Sequence, residues 1–211
     1  MDTRRVIEPG HTAWKTAHAD RISFLIDAER YFSAFVDAVS HARESVFILG
    51  WDVDSRIRLI RDRDSDDDVL TLSSFLSDVL DRRPALEIRV LCWDFATIYA
   101  MERELLSQLK MDWLVHDRLH FRYDDHHPAA ASLHEKIVVI DDRIAFIGGI
   151  DLGPRRWDTS DHLPDDNRRV APSGSSYRPF HDIQAVVQGE IARLLGDLAR
   201  DRWARAAGER I

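Results

Sequence analysis

Two side chains in this sequence are suited to chemistry on a phosphodiester: His134 and Lys136, which stand two residues apart. An imidazole can attack phosphorus as a nucleophile, and an ammonium group neutralises the non-bridging oxygens as charge builds on them. The apolar residues that follow predict a strand over 134–140, and side chains two apart on a strand point to the same face. We therefore expect the two groups to act on one substrate.

Four more residues extend this pair into a pattern: Asp141, Gly148, Gly149 and Asp151. A His-x-Lys pair alone is typical of the surface of an edge strand, whereas six specified positions within eighteen residues rarely match by chance. The two glycines leave room for a ligand or a backbone to approach closely. The extended pattern favours a functional site.

The rest of the sequence alternates between helical and strand patterns, which predicts an α/β fold with a mixed β-sheet sandwiched between helices. The predicted helices cover 29–43, 70–82, 98–113 and 189–206. The predicted strands cover 45–53, 86–93, 119–123, 134–140, 143–148 and 181–187, with a tight turn at Asp141-Asp142. Residues 153–180 are rich in Gly, Pro, Ser and charge and predict a long loop. We expect one domain over 1–211, with its core at about 20–205.

The stretch from His134 to Asp151 resembles the HKD motif of the phospholipase D superfamily. The flanking segments 122–128 and 149–159 are similar to the first motif region of the phospholipase D branch, as is 179–183, where that branch usually has Trp before His-Asp. Leu133 departs from the pattern, since many relatives have a second His there. The resemblance implies a single phospholipase D-like lobe.

The resemblance also implies roles for the site residues. His134 would form a covalent phosphohistidine or act as the acid–base partner, and Lys136 would hold phosphate oxygens. Asp182 would accept a hydrogen bond from the far imidazole nitrogen and orient His134. Asp141, at a turn, would mostly shape the site, and Asp151 would lie near the phosphate. The family chemistry needs no metal and no cofactor.

Trp157, in the long loop, is the aromatic residue that we expect to contact a lipid headgroup or the membrane interface, with Gly148 and Gly149 beside the substrate. Two acidic segments could in principle bind ions. The loop that begins at Asp62 lacks the Gly and Glu of a calcium loop, and Asp124-Asp125-His126-His127 lacks partner ligands for zinc. We interpret both as solvated loops.

Only one HKD motif is present, although the family's site uses two histidines, one as nucleophile and one to protonate the leaving alcohol. None of the other nine histidines has Lys two residues later. Two copies could pair symmetrically, a second lobe could come from another chain, or the sequence could be a truncated half-enzyme. The details around the motif belong to relatives with both motifs on one longer chain, which favours a truncated or split enzyme.

The predicted function is cleavage or transfer of a phospholipid headgroup phosphodiester at a membrane surface. The alternatives are a nuclease or cardiolipin synthase of the same superfamily, or a catalytically silent binding module. Asp and Glu total 37 against 29 Lys and Arg, for a net charge of -8, which argues against nucleic acid as a partner. With no signal peptide or membrane-spanning run, we expect a cytoplasmic protein and leave peripheral membrane contact open. The single cysteine, Cys92, is expected to be buried.

Overall fold

The computed structural model describes residues 6–61, 70–93, 113, 116–128 and 131–211. Within these ranges the chain forms seven strands and three helices. The predicted helix over 98–113 lies outside the described residues apart from Trp113, and so does the acidic loop that begins at Asp62.

The strands form one mixed sheet in the order β1-β7-β6-β5-β2-β3-β4. They are β1 (Arg21–Ile26), β2 (Ser45–Gly50), β3 (Glu87–Trp93), β4 (Leu119–Asp124), β5 (Ile137–Ile140), β6 (Ile144–Gly148) and β7 (Ile183–Gln188). Strands β2, β3 and β4 run parallel to one another, and every other neighbouring pair is antiparallel.

Helices cover both faces of this sheet, which confirms the predicted α/β fold. The helices are α1 (Asp27–Ser40), α2 (Leu72–Arg82) and α3 (Glu190–Ala207). The larger core lies between the sheet and α1 and α2, and a second core lies under α3. Along β2, Val46 and Ile48 join the first core while Phe47 and Leu49 join the second. A strand covered on both faces is apolar at every position, which explains its continuous apolar run.

The β5–β6 hairpin turns at Asp141 and Asp142, as predicted, and both residues have left-handed backbone, with φ of 50° and 54°. Two consecutive residues of this kind form the turn that suits the twist of antiparallel strands. Strand β5 begins at Ile137 and not at residue 134. His134 and Lys136 therefore precede the strand. The expectation that both residues lie on a strand was wrong.

The edge strand β1 was not predicted from the sequence. Among the described strands it pairs with β7 alone, from the far end of the chain. Its alternate residues Ile22, Phe24 and Ile26 are exposed, while Leu25 packs against the larger core. Because its single partner lies so distant in sequence, β1 is defined by tertiary pairing more than by its local pattern.

The strand ends that carry polar side chains lie along one edge of the sheet. The carboxyl ends of β2, β3 and β6 lie there together with the amino ends of β5 and β7, as the pairing directions require. Crevices at the carboxyl ends of strands are common ligand sites in open α/β sheets.

Candidate active site

Lys136 is almost fully buried where the chain enters β5, with 6% of its surface exposed. Its Nζ lies 3.3 Å from Oδ2 of Asp151 and makes no hydrogen bond to any described residue. The other carboxylate oxygen of Asp151 accepts a hydrogen bond from the backbone N–H of Trp51 at 2.9 Å. The buried ammonium group is thus neutralised by one carboxylate and keeps its hydrogen-bonding capacity for another acceptor.

His134 is exposed. Its ring meets the Trp51 indole edge-on, with ring centroids 5.7 Å apart. The Nζ of Lys136 lies 6.0 Å from the centre of the same indole, and Trp93 stacks on Trp51 at 5.7 Å. The structure therefore brings His134 and Lys136 together beside one aromatic wall, although they do not belong to a strand.

Burial alters the acidity of two carboxyl groups here. It raises the pKa of Asp151, against the lowering effect of the adjacent Lys136 ammonium. Burial also raises the pKa of Asp52 to about 6, opposed by Arg156, whose guanidinium lies 3.8 Å away, and assisted by Asp151. Sequence reasoning noticed Asp52 only as the end of a buried strand, and its acidity depends on burial that no local pattern shows.

Asp182 lies at the same sheet edge, immediately before β7. Its carboxylate accepts a hydrogen bond from the backbone N–H of Ile183 at 2.7 Å, and no hydrogen bond joins it to His134 in the described part of the chain. A Cβ added at Gly149 would overlap the Asp182 carboxylate, and one added at Gly148 would overlap the Ile183 carbonyl. The two glycines are needed for these close approaches of β6 to β7.

Asp141 does not belong to the site. It lies at the opposite end of β5 from Lys136, and its carboxylate accepts three backbone N–H groups, from Arg43, Glu44 and Ser45, at 2.8–2.9 Å. The structure thus gives Asp141 a connecting role at the far edge of the sheet. The motif alone had placed Asp141 among the site residues, with a mostly shaping role.

Trp157 is buried, with 2% of its surface exposed, and belongs to the larger core. The guanidinium groups of Arg61 and Arg168 lie 5.1 Å and 5.0 Å from its ring. The expectation that Trp157 contacts a headgroup or the membrane interface was wrong, because residues around it in the 153–180 segment fold over the ring.

Three other expectations concern residues away from the pair. Cys92 is buried, as expected, and its thiol contacts the Trp51 carbonyl at 3.7 Å. Asp124, in the segment considered for zinc, is buried and forms an ion pair with Arg202 at 2.6 Å. Among the described helices, none is both long and apolar enough to cross a membrane.

A cluster that sequence reasoning missed lies beside Asp182. Asp27, His162 and His181 come from three separate segments, and their ligand-type atoms lie within 4.8 Å of one another. His181 was visible in the sequence as the neighbour of Asp182, whereas Asp27 carried no signal because it begins a helical pattern.

The family model described as Phospholipase D matches residues 38–210 of this chain. Phospholipase D zeta 1 from Arabidopsis thaliana is 28% identical over 222 residues, which cover 89% of this chain and 20% of that protein. Phospholipase D1 from Cricetulus griseus is 31% identical over 148 residues, covering 65% of this chain and 13% of that protein. The chain therefore spans a fifth or less of the length of these relatives.

Solved structures share the fold. NucT from Helicobacter pylori superposes with a TM-score of 0.56 at 12% identity, covering 88% of this chain and 97% of that one. Phosphatidylserine synthase from Haemophilus influenzae gives a TM-score of 0.52 at 13% identity, covering 90% and 41%. The match over 38–210 includes His134 and Lys136 together with helices α2 and α3, and the chain belongs to the phospholipase D family.

Proposed function

We propose that this chain supplies one half of a phosphodiesterase active site that acts on phospholipid headgroups. One observation carries the proposal: an exposed imidazole, His134, meets at the Trp51 indole a buried ammonium group, Lys136, that has no hydrogen bond to any described residue. A nucleophile must reach the substrate, whereas a cation stabilises phosphate charge best when water is excluded. The difference in burial between the two side chains matches these two tasks.

In the proposed reaction, a lone pair on the His134 imidazole attacks phosphorus. The N–P bond forms and the P–O bond to the headgroup alcohol breaks, while a second histidine donates a proton to the leaving oxygen. Water then attacks phosphorus, gives its proton to the second histidine, and the N–P bond breaks. Replacing water by another alcohol gives headgroup transfer in place of hydrolysis.

Phosphate oxygens would have to compete with Asp151 for Lys136. Because burial raises the pKa of Asp151, its anionic form is less stable here than in water. A phosphodiester anion can therefore replace the carboxylate as the partner of the ammonium group at a reduced cost. Gly148 and Gly149 border the site and keep β6 close to β7.

Asp182 is the proposed positioning residue for His134. This role is supported by the position of Asp182 at the same sheet edge and by its partial exposure. The backbone N–H of Ile183 donates to one carboxylate oxygen of Asp182, which leaves the second oxygen for the imidazole. A carboxylate that accepts from one imidazole nitrogen leaves the other nitrogen free to attack. A rotation of the Asp182 side chain would be needed to reach the ring.

The second histidine is proposed to come from another lobe, since this chain has one His-x-Lys pair. An apolar surface on β1 and β7 supports such a partner: Ile22, Phe24, Ile26 and Ile183 are 40–62% exposed. Exposed contiguous apolar surface marks interaction sites in proteins. Because the chain spans 20% of phospholipase D zeta 1 and 13% of phospholipase D1, we favour a split or truncated enzyme over a symmetric pair of copies.

Phospholipid is the proposed substrate class because the relatives at 28% and 31% identity are named phospholipases D. The net charge of -8 disfavours the nuclease alternative, which would need a basic channel for the backbone of DNA.

A substrate with an easily displaced leaving group tests the half-site without its partner lobe. In p-nitrophenylphosphocholine, nitrophenolate departs without a proton, so the missing second histidine is not required for the first step. We expect a burst of about one nitrophenolate per chain followed by slow turnover, because the phosphohistidine lacks its hydrolytic partner. Asp182→Asn should slow the burst and change its pH profile.

The decisive variant is His134→Ala, because His134 is exposed and its replacement leaves the core intact. His41→Ala is the matched control, since that histidine is also exposed and lies at the end of α1. The burst should vanish in His134→Ala and persist in His41→Ala. A wild-type chain without a burst would favour the silent binding module, and a burst that survives His134→Ala would contradict the proposed nucleophile.

A further inference from the structure

Asp27 is the first residue of α1 and is completely buried, with 0% of its surface exposed. Its Oδ1 lies 2.8 Å from Nδ1 of His181 and accepts a hydrogen bond from the backbone N–H of Asp182 at 3.3 Å. Its Oδ2 makes no hydrogen bond to any described residue, although Nε2 of His162 is 3.3 Å away. A buried carboxylate oxygen without a hydrogen bond is costly unless something else compensates its charge.

His162 is held on its other side by a second carboxylate. Its Nδ1 lies 3.2 Å from Oδ2 of Asp158, and Oδ1 of Asp158 accepts a hydrogen bond from Arg169 at 3.0 Å. When Nδ1 donates to Asp158, the lone pair of the neutral ring lies on Nε2 and points toward Asp27. A lone pair and a carboxylate oxygen that face each other without a hydrogen bond are the arrangement expected around a cation.

We propose that Asp27, His162 and His181 bind a divalent transition-metal ion of the zinc type. Two imidazole nitrogens and one carboxylate are a common ligand set for zinc, and tetrahedral Zn²⁺ at its usual bond lengths separates its ligand atoms by about 3.3 Å. His181 Nδ1 lies 2.8 Å from Oδ1 of Asp27 and His162 Nε2 lies 3.3 Å from Oδ2, and one ligand atom from each residue lies within 4.8 Å of the others. Only small side-chain movements are needed to enclose the ion.

Two features complete the site. Asp158 supplies the carboxylate partner that metal-bound histidines usually have on their second nitrogen, which fixes the ring and the tautomer. The side chain of His181 is 68% exposed, so an ion has a path from solvent, and a fourth coordination position is left for water. The ion would join three segments distant in the sequence: the start of α1, the 153–180 segment and the residue before Asp182.

The other cluster of potential ligands in the described residues lacks these features. Asp124, Asp125 and His126 lie in one short segment, and Asp124 already has a cationic partner, Arg202, at 2.6 Å. The side chains of Asp125 and His126 are 73% and 55% exposed, so water satisfies them. His126→Ala therefore serves as a matched control that removes a histidine from a carboxylate cluster without touching the proposed site.

The test is titration of the untagged protein with Zn²⁺ by calorimetry, together with the visible absorption of bound Co²⁺. We expect one ion per chain in the wild type and in His126→Ala, and none in His181→Ala, which should fold normally because His181 is exposed. Asp158→Asn should weaken binding about 10–100-fold, since it removes the carboxylate that fixes the His162 ring, although Arg169 also loses its ionic partner.

The proposal would be overturned if the wild-type protein bound no Zn²⁺ in a one-to-one ratio, or if binding survived in His181→Ala. Binding lost in His126→Ala would also overturn it, because the ion would then belong to the exposed cluster. Since no substrate enters this titration, the result is independent of the proposed phosphodiesterase activity.

Discussion

Burial raises the pKa values of two aspartates near Lys136, an effect that their residue type alone does not predict. Asp151 and Asp52 both have raised pKa values, chiefly because burial disfavours their charged forms, and Arg156 offsets part of the effect at Asp52. Raised carboxyl pKa values often accompany functional sites, where burial and neighbouring charges are combined. Here both shifted groups interact electrostatically with Lys136, the buried lysine that we propose to bind phosphate.

Asp52→Asn should change how stability depends on pH. The Asp52 pKa is raised from 3.8 to about 6 in the folded protein, so the folded state binds this proton more tightly than the unfolded state. Its stabilising effect is therefore complete below about pH 4 and is lost as the pH rises through about 6. Because Asn does not titrate, the melting temperature of the variant relative to wild type should increase between pH 4 and pH 7.5.

Thermal unfolding of both proteins at several pH values checks this prediction. The side chain of Asp52 is 37% exposed, so solvent reduces the effect and only its sign is predicted. A difference in melting temperature that stays constant across this range would show that Asp52 titrates normally.

At the scale of the elements, the β5–β6 hairpin connects the two edges of the sheet. Lys136 precedes β5 at the site edge, and Asp141 follows β5 at the opposite edge. There the Asp141 carboxylate fastens the backbone of residues 43–45, which joins α1 to β2. Asp141 thus holds β5, which follows Lys136, in register with its neighbour β2.

Asp141→Gly should lower the free energy of unfolding by about 2 kcal/mol, because three backbone donors lose a charged acceptor while water replaces part of the loss. Glycine keeps the left-handed turn, so backbone strain is not the cause. Asp142→Gly is the matched control: it also keeps the turn and loses only a surface ion pair with Arg200, for less than about 1 kcal/mol. Urea unfolding measures both, and equal losses would refute the assigned role.

Most of the elements were predictable, and the errors have physical causes. Helices α1, α2 and α3 and strands β2, β3, β4, β6 and β7 lie within a few residues of their predicted ranges, because amphipathic periodicity or continuous apolar runs mark them in the sequence. Strand β1 was missed since its only neighbour is β7. The predicted range of β5 began too early, at His134, because the apolar run and the strand pairing begin only at Ile137.

At the scale of the whole molecule, a half-site implies that turnover depends on assembly. In the proposed reaction, one histidine acts as nucleophile and another protonates the natural leaving group, so a single copy of this chain would not complete the cycle. The exposed apolar strip on β1 and β7 is the surface on which a second lobe would pack. We therefore expect that the rate of choline release from phosphatidylcholine will not rise in simple proportion to the concentration of this chain.

Mixing wild-type and His134→Ala chains at constant total concentration tests this dependence. If copies pair, an equal mixture should retain about a quarter of the wild-type release, because both copies must carry His134. If the second histidine belongs to a different chain, release should require that chain and be absent from every mixture. Release that falls to one half in the equal mixture would show that each chain works alone.

The sequence by itself determined the family resemblance, the α/β fold and the pairing of His134 with Lys136, because each depends on residues that are close together along the chain. Only the tertiary structure decided which side chains surround that pair. Folding buried Trp157 in the core, moved Asp141 to the far edge of the sheet and shifted the acidity of Asp52.

The tertiary structure alone also brought Asp27 to His181, 154 residues apart in the sequence. Contacts of that kind follow from strand pairing and from the packing of a long loop, and neither leaves a periodic signal in the sequence. Local patterns therefore predicted the candidate nucleophile His134, whereas its surroundings and the proposed metal site depend on long-range packing.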